Sequence, residues 1–146
     1  MQMTDSTECA HGATGGVRTV LRVEGALVLL ACAVAYGGTG ESWWWFAGAF
    51  FAPDLALVAF VGGASHGARA YNATHSYIAP LLLVVVAMIS GDTGGLLPTA
   101  LVWGAHIGFD RALGYGLKYE TAFAHTHLGR IGRIGRSAPL AQDGGH

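Results

Sequence analysis

Residues 103–119, WGAHIGFDRALGYGLKY, decide how this chain is read. They close an apolar run that starts near residue 95 and has the character of a membrane span, yet they set His106, Asp110 and Arg111 within two turns of helix. Ionisable groups are costly in hydrocarbon and rare in spans, and by default they mark a functional site rather than packing. The composition agrees with a lipid setting: of 146 residues, 52% are hydrophobic and only 12% charged, which leans away from a soluble globule and toward one small membrane domain. A formal net charge of -1, with no zinc-finger spacing and no RNA-binding signature, gives no reason to expect nucleic acid as a partner. Two cysteines, Cys9 in a polar stretch and Cys32 in an apolar one, do not make a disulfide framework.

Working outward, four apolar segments have the length that spans a hydrocarbon core: about 19–37, 43–62, 72–90 and 95–117. GGTGES, GGASHGAR and SGDTGG lie between them and carry the glycine, serine and aspartate of tight turns. The expected fold is all-α, an integral membrane protein with four transmembrane helices in an up-down bundle. Its parts are a polar N-terminal tail (1–17), a transmembrane domain (18–117) and a C-terminal tail (118–146). Basic residues set the orientation. Arg18, Arg22, Arg69, Lys118, Arg130, Arg133 and Arg136 fall on one side while GGTGES and SGDTGG hold none, so both termini are expected in the cytoplasm and the protein in the cell membrane, multi-pass. The triplet Trp43–Trp45 then sits at the outer interface. Gly104 and Gly108 form a small-xxx-small pair on the fourth span, and Gly48, Ala52, Ala56 and Ala59 give the second a slim face, patterns that allow close helix approach in lipid.

Counting about 1.5 Å of rise per residue from each cytoplasmic end puts Glu24, Asp54, His75, His106 and Asp110 all in the inner half, about 5 to 16 Å deep. His106 and Asp110 share a helix face at four-residue spacing, while Arg111 points elsewhere and snorkels inward. Asn72, His75 and Ser76 share a face on the third span, where Tyr71 can join His75. Pro53 removes a backbone hydrogen bond beside Asp54 and can bend the second span. Imidazole and carboxylate form the ligand set of zinc, manganese or non-haem iron, and a divalent cation would neutralise such a cluster. Glu24 is read either as a general base or as the partner of Arg22, Arg111 or Lys118. The tail histidines His125 and His127 are read as surface residues or a lid over the site.

FFAPDL (50–55), THS (74–76) and AHIGFD (105–110) resemble the ordered Pro-Asp, Thr-His-Ser and His-xxx-Asp elements of the bacterial membrane-bound metal-dependent hydrolases induced by DNA damage. The wider pattern of VEG (23–25), YNATHSY, AHIGFDRALGYGLKY and THLGRIG resembles a family of small prokaryotic membrane proteins catalogued only as a domain of unknown function, over roughly residues 18–135. The hydrolase resemblance implies that Asp54, His75, His106 and Asp110 hold a metal. Where those hydrolases carry further acidic and histidine residues after Pro-Asp, this chain has LALVAF, which speaks against a second metal. The leading expectation is therefore a metal-dependent hydrolase of a lipid-borne ester or phosphoester. In it Glu24 acts as base, and Tyr71, Asn72, Ser76, Arg111, His125 and His127 support the site or contact substrate. The alternatives are a proton- or ion-coupled carrier, working as a homodimer, and a non-catalytic membrane partner subunit whose charged residues face outward.

Overall fold

The computed structural model describes residues 12, 13, 15–91, 95–119 and 125–130. Its architecture is all-α, with one very short hairpin added. Helix α1 covers Gly15–Gly37. It ends in a glycine-rich turn where Thr39 Oγ1 donates to the Tyr36 carbonyl (2.7 Å). The Ser42 side chain then accepts from Trp44 N–H (3.2 Å) and caps α2, Trp43–Phe50. Tyr36 is fully buried at this end, its hydroxyl on the Ser42 carbonyl (2.8 Å) and its ring against Trp43 and Phe46.

The second apolar segment is not one α-helix. After Phe51 the chain tightens into a 3₁₀-helix, Ala52–Gly62, with Pro53 in its first turn. Proline supplies no N–H to continue an α ladder, and an eleven-residue 3₁₀ run is longer than such helices usually are. The third expected span is also revised. Most of GGASHGAR is helical: only the turn at Gly63 (φ 109°) separates the 3₁₀-helix from α3, Ala64–Thr74, and a second break at residues 75–77 precedes α4, Ile78–Ser90. Pro80 accounts for that break, because its ring would clash with the carbonyl of residue 76 if the helix ran through, whereas proline is tolerated in a first turn. The last helix, α5, covers Leu96–Leu113 and stops at Gly114 (φ 96°), whose N–H returns to the Arg111 carbonyl while Tyr115 N–H returns to Asp110.

Among the described residues, three segments are long and apolar enough to cross a membrane: Gly15–Gly37, Trp43–Gly62 and Ala64–Ser90. The fourth, α5, carries the polar residues of the opening sequence stretch and is the interior helix, packed by α1, α2 and α4. Small side chains fill the inside, with Ala100, Val102, Ala105 and Ile107 buried along α5. Large apolar ones cover the outside, including Val20, Leu27, Leu30 and Val34 of α1 and Leu81, Leu82, Val85 and Ile89 of α4. An apolar exterior of this extent is what lipid solvates and water does not. α1 and α5 approach most closely at Gly25 and Gly108, where a β-carbon on Gly108 would lie 2.7 Å from the Gly25 carbonyl oxygen. Gly48, expected on a slim packing face, instead faces open space.

Beyond α5 the chain turns back on the bundle. Lys118 bridges to Thr126, and strands β1 (His125–Thr126) and β2 (Gly129–Arg130) form an antiparallel hairpin. Leu128 is fully buried, and the His127 carbonyl accepts from Ala13 N–H (2.7 Å). Arg133 and Arg136 lie outside the described residues.

Candidate metal centre

The four central side chains are delivered by three local devices. Asp54 sits in the first turn of the 3₁₀-helix, just after Pro53. His75 is the residue on which α3 ends (φ -108°, ψ 14°), so the Pro80 break frees it from helical geometry. His106 and Asp110 project from one face of α5. Together, Asp54, His75, His106 and Asp110 offer one ligand atom each, all within 4.8 Å of one another.

The spacing is informative. His75 Nε2 lies 3.2 Å from His106 Nε2, 3.3 Å from Asp54 Oδ1 and 3.5 Å from Asp110 Oδ2. His106 Nε2 lies 3.6 Å from Asp54 Oδ1 and 4.0 Å from Asp110 Oδ2. Four donors bound tetrahedrally at about 2.0–2.1 Å are separated by about 3.3–3.4 Å, since a tetrahedron's edge is about 1.63 times its radius. The three separations from His75 Nε2 are near that edge, the others are longer, and the four donors as a group could hold a single divalent ion. Exposure is graded: the side chains of His106, His75 and Asp110 are 1%, 3% and 15% exposed, and that of Asp54 is 37% exposed. Asp54 lies on the open side.

Surrounding groups hold this arrangement. The Tyr71 hydroxyl donates to Asp110 Oδ2 (3.0 Å), and its ring stacks on His75 with centroids 3.7 Å apart. His75 Nδ1 faces the Tyr71 carbonyl (3.0 Å) and Thr74 Oγ1 (2.9 Å), which leaves Nε2 to point into the cluster. Such an outer partner fixes a histidine's tautomer and raises its basicity as a ligand. Trp103 Nε1 donates to the Thr74 carbonyl (2.6 Å) and ties α5 to the end of α3. His106 is positioned differently: its Nδ1 is buried with no hydrogen-bond partner among the described residues, and the ring packs against the edge of Phe50 (5.3 Å).

The remaining expected residues fall nearby or apart. Arg111 donates to the His75 carbonyl (3.2 Å) and lies against His127 (3.1 Å to Nε2). Asn72 clamps the Lys118 backbone, donating to its carbonyl (2.8 Å) and accepting from its N–H (2.7 Å), which sets the Lys118 ammonium over the Tyr71 ring at 4.4 Å. Burial pushes the Lys118 pKa down, against a smaller upward pull from Asp110 and Asp54. Ser76 lies in the bend before α4, outside the four-residue group. The His125 backbone belongs to the hairpin, and its side chain lies outside the described residues. Glu24 is not in the cluster; it lines a separate cavity on α1, and no ion pair joins it to Arg22, Arg111 or Lys118. Arg22 instead donates to the Ala112 carbonyl (2.7 Å). Sequence reasoning missed Thr74 and Trp103, although Trp103 stands three residues before His106 and therefore near its face.

Fold and site define a membrane-like helical protein with a buried His/Asp group able to hold a metal ion. The chain belongs to the family described as Domain of unknown function (DUF4260), which it matches over residues 18–131. No curated protein and no solved structure matches it.

Proposed function

We propose that the chain is a multi-pass protein of the cell membrane with one divalent metal, zinc, manganese or iron, held by His75, His106, Asp110 and Asp54. It acts as a metal-dependent hydrolase on an ester or phosphoester presented by a membrane lipid. The observation carrying this reading is the convergence of four donors, two histidines and two aspartates, within 4.8 Å of one another in an otherwise apolar bundle. When bound, the ion supplies Lewis-acid polarisation of the substrate oxygen. His75 and His106 hold from the interior, Tyr71 orients Asp110, and Asp54, the most exposed of the four, is placed to accept a proton from the attacking water. That role replaces Glu24 as the base, because Glu24 lies in another cavity. Arg18, Arg22 and Lys118 lie toward the end of the bundle where α5 terminates, which supports that end as cytoplasmic.

One contact favours a second reading. Without a metal, the 3.2 Å approach of His75 Nε2 to His106 Nε2 requires one imidazole to donate to the other, and the adjoining carboxylates extend that path, as in a proton-coupled carrier. The test is hydrolysis by purified, metal-loaded protein of short-chain ester and phosphoester lipids, with Asp54→Asn as control. The hydrolase reading expects turnover that falls about 100-fold or more in the variant, with metal held less tightly because Asp54 is also one of the four donors. Proton flux in vesicles without hydrolysis would replace it with the carrier.

A further inference from the structure

A cavity of about 600 Å³ lies between α1 and the end of the bundle, lined by Leu21, Glu24, Val28, Tyr77, Arg111 and His127 among others. Leu21, Glu24, Gly25 and Val28 follow helical spacing, so this is one continuous face of α1. Two charges border the cavity and neither is neutralised. Arg111 meets only a carbonyl and an imidazole, with no carboxylate at ion-pair distance among the described residues. Glu24 makes no hydrogen bond or ion pair with a described residue. The Tyr77 hydroxyl, on the same wall, is buried without a hydrogen-bond partner among the described residues. Arg111 is half-buried and Glu24 exposed at the mouth of the cavity, so a positive and a negative group border one space without pairing to each other.

We infer that this cavity binds the headgroup of a zwitterionic aminophospholipid, with the phosphate on Arg111 and Tyr77 and the primary ammonium on Glu24. The apolar walls from Leu21, Leu27, Val28 and Leu128 suit the proximal acyl chains. An anionic lipid would satisfy Arg111 and be repelled by Glu24, and a quaternary ammonium has no N–H to donate to Glu24. The site is separate from the metal-ligand atoms and does not depend on the proposed hydrolysis.

The full chain in detergent is given equal amounts of phosphatidylethanolamine, phosphatidylcholine and phosphatidylglycerol, and retained lipid is read by native mass spectrometry. The expected result is about tenfold greater retention of phosphatidylethanolamine than of either other lipid. Glu24→Gln, at an exposed position without bonds, abolishes that preference. Equal retention of the three lipids, preference for phosphatidylglycerol, or a preference that survives Glu24→Gln overturns the inference. On the unaltered protein, excess soluble phosphoethanolamine displaces the lipid and phosphocholine does not; indifference to both contradicts the inference, and equal affinity for free headgroup and lipid overturns its assignment to lipid. Metal content measured on the same samples separates the two proposals, since absence of metal refutes the metal centre and leaves the lipid result standing.

Discussion

Replacing Tyr71 by Phe isolates one interaction of the proposed metal centre. The ring stays stacked on His75 at 3.7 Å and under the Lys118 ammonium at 4.4 Å, and only the hydroxyl that donates to Asp110 Oδ2 at 3.0 Å is lost. An outer partner of a metal ligand typically contributes 10- to 100-fold to affinity, which is about 1.4 to 2.7 kcal/mol. The same change should cost the metal-free protein less, on the order of 1 kcal/mol for one hydrogen bond to a mostly buried carboxylate. Competition titration against a calibrated chelator measures the first quantity, and unfolding in mixed micelles without metal measures the second. The expected outcome is a dissociation constant raised about 10- to 100-fold with a smaller loss of apo stability. Unchanged metal affinity would refute the reasoning, because Asp110 would then need no orientation to ligate.

Other consequences can be checked independently. Gly108→Ala puts a methyl group 2.7 Å from the Gly25 carbonyl and from Leu29 N, so α1 must move outward; a loss of about 1–3 kcal/mol in unfolding free energy is expected, and a neutral result would contradict the close crossing. His127 is pushed below its ordinary pKa by burial and then by Arg111, against a smaller upward pull from its hydrogen bond with the Leu117 backbone. Its folded-state pKa is therefore below the unfolded value, so its stabilisation is fully present above about pH 6.5 and is lost as the pH falls toward the folded pKa. Thermal midpoints should drop between about pH 7 and 5.5, and the drop should be shallower in His127→Gln.

Much of this arrangement is legible in the sequence where a spacing rule maps directly onto helix geometry. His106 and Asp110 share a face because they are four apart, and Gly108 marks a close crossing because no other residue admits a backbone so near. Asp54 and His75 join them from a 3₁₀-helix and the end of α3, elements that a uniform count of about 1.5 Å per residue does not describe. The break at residues 75–77 was harder to read, since an apolar run from 72 to 90 outweighed a single Pro80, although that proline explains the break. The return of residues 125–130 onto the end of α5 depends on tertiary contacts such as Leu128 burial and the Asn72 clamp, and no local pattern announces them. Glu24 lines a cavity apart from the four-residue group; a count along the helix axis says nothing about azimuth.

The most direct test of the central claim is elemental analysis of the purified protein beside His106→Ala, at matched fold and concentration. The account predicts about one divalent metal per chain, lost in the variant because removing a buried imidazole opens one corner of the four-donor set. A folded, monodisperse protein that takes up no zinc, manganese or iron, or a variant that binds metal as well as the parent, would contradict it.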